Sequence, residues 1–222
     1  MIKDDQFAGS TRIVGSVIPG GDIFNRQQNM TNEIAILKSF SLNKRVIDSL
    51  PEFKVAYFGV GKRNIAETQL YKDCPFRVTS ESVDVQPPNI KVNIIISSAT
   101  TYSLQINGNK NIEKGLEFGR LFNKYGFKFI IEKRDGNNFK FNPKASNKFY
   151  FYFTVSDELA NNYRANLSVA PIEKDATIVN LTKVGFVPEQ EADYLNKLME
   201  VYIRQGLESK NRIADSTIAF ID

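Results

Sequence analysis

Residues 185–222 read GFVPEQEADYLNKLMEVYIRQGLESKNRIADSTIAFID, and the helical period of this stretch frames the rest of the chain. Pro188 suits a first helical turn, and Glu189 and Glu191 favour the positive end of the helix dipole. Ala192, Leu195, Leu198, Met199, Tyr202 and Ile213 predict one apolar stripe. Asp193–Lys197, Glu200–Arg204 and Glu208–Arg212 place opposite charges four residues apart, as on a solvated helix face. At 1.5 Å per residue, about 35 residues make a rod of roughly 50 Å. It reaches Asp222 without a cap, which is the expectation for a helix cut through partway.

Working backward, Asn166 to Ile172 and Thr177 to Val184 read as two strands around the turn Glu173-Lys174-Asp175. From about Glu67 to Tyr163 the pattern becomes short alternating runs split by turn residues. Pro87-Pro88-Asn89 precedes Ile90 to Ile96, and Asn107-Gly108 follows Thr101 to Ile106. Asp135-Gly136 separates Phe127–Ile131 from Phe139–Phe141. Asn-Gly and Asp-Gly favour the positive backbone angles of tight hairpins, so this stretch predicts an antiparallel β module. At the amino end, Phe7 to Ile18 predicts a strand closed by Pro19-Gly20-Gly21, followed by a helix from about Phe24 to Leu50. Ile34, Leu37, Leu42, Val46 and Leu50 form its stripe, and Pro51 stops it before a strand over Phe53–Val60. The expected fold is α+β. Residues 1–60 and 164–222 form a base with packed helices, a small sheet and a long carboxy-terminal helix, and residues 61–163 form an inserted antiparallel β module.

Composition narrows the chemistry. With 222 residues and 42% hydrophobic content, the chain can bury a sizeable core. Histidine is absent, which excludes Ser–His and Cys–His catalysis and histidine metal sites. One cysteine excludes an intrachain disulfide and a cysteine metal cluster, and Cys74 before Pro75 reads as an apolar filler. No run of about 18 apolar residues appears, and Met1 to Asp5 lacks the basic and apolar character of a signal peptide. A net charge of +4 is too mild for a nucleic-acid signature. Gly59-Val60-Gly61-Lys62-Arg63 suggests a phosphate loop, but Ala56 stands where its first glycine belongs and Arg63 where its hydroxyl belongs. No catalytic residue, cofactor or metal is expected.

Two features suit binding. Lys110 to Lys148 holds ten Lys or Arg against four Asp or Glu, so the remainder of the chain is slightly acidic. Its cations, Lys140 and Lys148 among them, are interleaved with phenylalanines; they fit either a solvated sheet face or a surface for an anionic saccharide or phospholipid head groups. In Phe149-Tyr150-Phe151-Tyr152-Phe153, alternation puts three phenylalanines on the core face and Tyr150 and Tyr152 on the other. The tyrosines suit saccharide contact or cross-strand packing.

The helices also carry a resemblance. Asn32-Glu33-Ile34-Ala35-Ile36-Leu37-Lys38-Ser39, followed by Val46-Ile47-Asp48-Ser49-Leu50, resembles the "E-I-x-I-L-K-S … V-I-x-x-L" helix of chain-length determinant proteins. These are the polysaccharide co-polymerases of bacterial envelopes, including the periplasmic part of bacterial tyrosine autokinases. Gly185 onward is similar to the family's "G-x-x-P-x-x-A-x-x-L-N-x-L-x-x-x-Y" opening of its extended helix. Lys210 to Asp222 is similar to the "K-N-x-x-A-x-x-T-I-x-F-I-D" tail of a Bacteroides-like branch. The likeness covers the two flanks well and the β module loosely.

The resemblance implies the periplasmic portion of an inner-membrane protein, anchored by flanking membrane helices that this chain does not contain. It implies a ring-shaped homo-oligomer that works with the polymerase and export machinery to set the length of O-antigen, capsule or exopolysaccharide, and that contacts nascent polysaccharide weakly. In the autokinase members a cytoplasmic kinase domain follows the second membrane helix; this chain has no Walker motif and no tyrosine-rich tail. Protomers of the family pack side by side through the base and long helix, which makes Arg204, Glu208 and Arg212 candidate interface residues. The alternative function is an extracytoplasmic carbohydrate-binding β module. An enzyme ranks third.

Overall fold

The computed structural model describes residues 30–80, 86–107, 112–134, 141–173 and 178–221. The strand expected over Phe7–Ile18, the Asp135-Gly136 turn and Lys140 lie outside the described residues. The fold is α+β: among the described residues it has four α-helices and three antiparallel sheets, and it ends in one long helix.

The predicted helix from Phe24 to Leu50 is broken. Helix α1 covers residues 30–37, and α2 covers Phe40–Asp48. Ser39 is extended (φ −68°, ψ 146°), and its hydroxyl accepts the Leu42 amide at 3.3 Å, so the chain stops and is capped afresh. Buried Asn43 fixes the break. Its amide nitrogen donates to the carbonyls of Leu37 (3.0 Å) and Ser39 (2.7 Å), and its oxygen accepts the buried Tyr194 hydroxyl. Periodicity runs through Ser39 without a gap, so this break depends on side chains meeting across the fold.

After α2, Pro51–Lys54 make one turn of 3-10 helix that buries Phe53, and the chain enters the β region. Strands β1 (Val55–Val60), β2 (Glu67–Leu70), β4 (Val92–Ile96), β5 (Thr101–Ile106), β6 (Glu113–Glu117) and β9 (Lys148–Phe153) form one six-stranded sheet, ordered β2-β1-β9-β4-β5-β6. Strands β3 (Phe76–Thr79), β7 (Leu121–Lys124) and β8 (Phe127–Lys133) form a second, ordered β3-β8-β7. The two sheets share a single core, with Val92, Ile94, Tyr102, Leu104, Phe151 and Phe153 from the first against Phe76, Phe127, Phe129 and Ile131 from the second. Phe149 packs on that core from its margin, while Phe151 and Phe153 are fully inside it. The sharpest hairpin is β7–β8, where Tyr125 (φ 56°) and Gly126 (φ 82°) both take positive φ. No Asn-Gly or Asp-Gly pair marks it.

The helices build a second core. Helix α3 (Ser156–Ala165) contributes Ala160 and Tyr163, and α4 (Pro188–Ile221) contributes Tyr194, Leu198 and Val201. They pack with Leu37, Leu42, Val46, Ile47, Phe53 and Leu167. Strands β10 (Leu167–Pro171) and β11 (Val179–Lys183) pair as a two-stranded ribbon beside them. Among the described residues, the sheet core takes its side chains from between Val55 and Phe153, whereas Phe53, Tyr71 and Ala160 belong to the helical core. β1 pairs with β2 and β9 and belongs to the sheet; α3 buries its side chains among helices.

The stripe on α4 is also rotated from the expected one. The buried line is Glu191, Tyr194, Leu198 and Val201, whereas Ala192 is exposed and Ile213 is 65% exposed. The carboxylates of all three expected charge pairs take another partner. Asp193 binds Lys72 at 2.6 Å, and Glu208 reaches Arg45 at 3.4 Å. Glu200 binds Lys197, three residues away.

Gly185 leads into α4 directly against Glu191, so a Cβ at position 185 would overlap the Glu191 carboxylate. Gly185→Ala is expected to destabilise the protein by about 1–3 kcal/mol, the usual cost of overpacking, read as a lowered denaturation midpoint.

Candidate functional site

Three groups of residues bear on function: the outer face of the large sheet, the free surface of α4, and the polar contacts joining the two cores. On the outer face, Phe58 of β1 lies opposite Tyr150 of β9, which lies opposite Asn93 of β4. The Phe58 and Tyr150 rings are stacked, with centroids 4.6 Å apart and planes 6° from parallel. From the β4 side, the Lys91 ammonium sits 3.6 Å from the Tyr150 centroid. The Tyr150 hydroxyl donates to Glu67 at 2.7 Å, and Lys91 bonds the same carboxylate at 3.1 Å. Bonds from Tyr150 and Lys91 lower the Glu67 pKa, while burial first and then the Glu67 contact raise that of the Tyr150 hydroxyl.

Tyr150 is therefore enclosed. It is 7% exposed, with phenyl and ammonium groups over its ring and its hydroxyl committed. A sugar stacks on a free aromatic face, and Tyr150 presents none; cross-strand packing describes its role. Tyr152 is half-buried, 5.8 Å from Phe58 in a looser stack, and Lys148 donates to Asn64 at 3.1 Å. Tyr150, Tyr152 and Lys148 thus share one face, as alternation predicts, but not one open platform.

On α4, the last described buried residue is Val201. Beyond it Arg204, Glu208 and Arg212 are all exposed, and Glu208 is drawn to Arg45 of α2. Pattern reading concentrated on these charges and missed the apolar side chains between them. Ile203 and Leu207 are 55% and 57% exposed. With Ile36, Tyr202 and Gly206 they line a groove of about 430 Å³ between α1 and α4. The Tyr202 hydroxyl binds Glu33 across it. The signal was present in the sequence, since Ile203 and Leu207 are apolar residues four apart that fall off the main stripe.

The junction of the cores is polar and specific. The loop after β2 docks on α4, with the Tyr71 hydroxyl donating to Asp193 at 2.9 Å and Lys72 bonding Asp193 and Glu189. Arg134, at the end of β8, forks onto Glu52 at 2.8 and 3.4 Å. Burial tends to raise the Asp193 pKa, but the bonds from Lys72 and Tyr71 outweigh it and hold the carboxyl below its ordinary 3.8. Because the folded pKa lies below the unfolded one, this stabilisation is complete above the ordinary value and is lost as pH falls through the folded value. Protection from hydrogen exchange at residues 71–74, relative to the intrinsic rate at each pH, is expected to fall below about pH 4, and Asp193→Asn is expected to remove that step. Acid exchange that is unchanged by Asp193→Asn would contradict the assignment.

The remaining reactive groups have structural places. Cys74 is fully buried, and burial pushes its thiol up to about 12, far from a nucleophile's range. The Gly59–Arg63 stretch ends β1 and turns tightly into β2, with the Gly61 amide donating to the Ala66 carbonyl at 2.8 Å. Among the described residues, no group of three or more acidic or cysteine side chains is placed to hold a metal ion, and no helix is long and apolar enough to cross a membrane.

No protein-family model matches this chain, and no curated protein matches it.

Proposed function

We propose that this chain is the periplasmic scaffold portion of an inner-membrane polysaccharide co-polymerase, which regulates the length or export of an envelope polysaccharide by oligomerising. The observation that carries the reading is the carboxy-terminal half of α4. From Val201 to Ile221 the helix continues for about 20 residues, or roughly 30 Å, past its last buried side chain among the described ones. It exposes Ile203, Leu207 and Ile213 along the way. A helix that leaves its own core with apolar residues outward suits packing against neighbouring copies. The resemblance of the α1–α2 region and of α4 to the chain-length determinants supports the same role. The absence of histidine and the turn geometry at Lys62 support a non-catalytic one.

The full-length parent protein in detergent is expected to be oligomeric by mass measurement. Ile203→Lys with Leu207→Lys is expected to weaken assembly at least about tenfold, because each charge would need a partner or water at the contact. A strictly monomeric full-length protein would overturn the scaffold role. Purified chain is also expected to show no ATP turnover. Turnover that vanished in Lys62→Ala would return the glycine turn to consideration as a phosphate loop.

The alternative, a carbohydrate-binding module working through Tyr150 and Tyr152, is weakened by the enclosure of Tyr150.

A further inference from the structure

At the end of the sheet remote from the helices, three turns lie side by side: residues 61–66 between β1 and β2, 97–100 between β4 and β5, and 142–147 before β9. They are braced to one another. The Ser146 hydroxyl donates to the Val60 carbonyl, the Ile96 amide donates to the Asn147 carbonyl at 2.9 Å, and Lys148 reaches Asn64 at 3.1 Å. Each turn is also pinned internally. The Asn142 side chain accepts the Lys144 amide at 2.9 Å, and the Asn147 side chain returns to the Asn142 carbonyl at 2.7 Å. Asn64 and Asn147 take φ of 57° and 50°, the left-handed geometry that asparagine tolerates.

The charge of this rim has one sign. Lys62, Arg63 and Lys144 are exposed, Lys148 stands beside them, and none of the three turns contains an acidic residue. Among the described residues, the carboxylates on the strands that border these turns are engaged, Glu67 by Lys91 and Tyr150 and Glu117 by Arg120. Carboxylates instead crowd the helical side, where Glu189, Asp193, Asp157 and Glu52 all occur in ion pairs. The same turns carry the neutral polar residues Asn64, Ser98, Thr100 and Asn142, of which the Asn64 and Asn142 oxygens and the Ser98 hydroxyl also hold the turns together.

We infer that this three-turn rim binds an acidic polysaccharide, with Lys62, Arg63 and Lys144 meeting its carboxylates and the neighbouring hydroxyls and amides meeting its hydroxyl groups. A membrane is the poorer fit. Ile65 is the one strongly exposed large apolar side chain on these turns among the described residues, too little apolar area to seat the rim in a bilayer. The inference does not depend on oligomerisation and stands apart from the scaffold reading. It also moves the saccharide contact from the enclosed Tyr150 to the edge of the sheet.

The test is titration of the purified chain with polygalacturonate oligomers, with neutral dextran as control, at about 50 mM salt, where the Debye length still exceeds 10 Å. Binding to polygalacturonate and not to dextran is expected. Lys62→Glu, Arg63→Glu and Lys144→Glu together are expected to weaken it at least about tenfold, since the reversed charges lie within a Debye length of the bound carboxylates. The matched reversal Lys38→Glu, Lys114→Glu and Lys210→Glu, at exposed positions elsewhere, changes net charge equally and is expected to cost about twofold or less. Equal losses in the two triple variants would show diffuse attraction and overturn the site. So would the absence of glycan binding, or binding to phosphatidylglycerol vesicles in place of the glycan. Circular dichroism of both variants confirms that the fold is retained.

Discussion

Phe129→Ala is expected to cost about 3–5 kcal/mol, the range for deleting a large aromatic side chain from a packed core. Phe129 is fully buried on β8, at the meeting point of the two sheets. Its ring lies 5.1 Å from Phe122, 5.4 Å from Phe151, 5.9 Å from Phe153 and 6.0 Å from Phe127. Four aromatic neighbours cannot all move into the space, so most of the cavity stays open and the lost dispersion contacts are not recovered. A loss of this size is a large share of a domain's net stability, typically 5–15 kcal/mol. Urea denaturation should show the midpoint falling sharply. Leu121→Ala, at a position 54% exposed on the adjacent strand, should leave it nearly unchanged. Similar small shifts in both variants would mean that the two sheets do not share one tightly packed core.

The second large effect is expected at Lys183. Its ammonium lies 3.5 Å from Glu191 Oε2, donates to the Val184 carbonyl at 3.0 Å and sits over the Tyr163 ring at 4.7 Å. Both side chains are nearly closed to water, at 6% and 11% exposure. Oε2 has no hydrogen bond among the described groups, so the ammonium is what answers its charge. Lys183→Ala strands a buried carboxylate and is expected to cost about 3–5 kcal/mol. Lys183→Met combined with Glu191→Leu is expected to recover much of that loss, because a buried ion pair replaced by apolar groups of similar volume is often neutral. Calorimetry on the single and double variants gives the coupling. A single-variant cost below about 1 kcal/mol would place the pair in solvent and refute the burial argument.

What the sequence determined on its own was local. Pro188 started the long helix and the alternation in Phe149–Phe153 assigned the faces of β9, because each is a property of neighbouring residues, whereas Pro51 opens a 3-10 turn after α2 has already ended at Asp48. The β10–β11 pair was legible for the same reason. Tertiary structure decided whatever depends on a partner distant in the chain. Asn43 stabilises the break between α1 and α2 together with Tyr194, so a period that runs smoothly through Ser39 did not reveal it. Asp193 faces Lys72 and Glu208 faces Arg45, contacts that local charge spacing assigns to the same helix. Tyr150 was rightly placed on the outer face, yet only the approach of Phe58, Lys91 and Glu67 from three other parts of the chain closed it. Lys144 is about 80 positions from Lys62 and Arg63 in the chain, and the antiparallel pairing of β1 with β9 brings their turns together. Periodicity reports which side of an element is apolar, whereas the identity of what covers that side, or leaves it open, depends on how the elements are stacked.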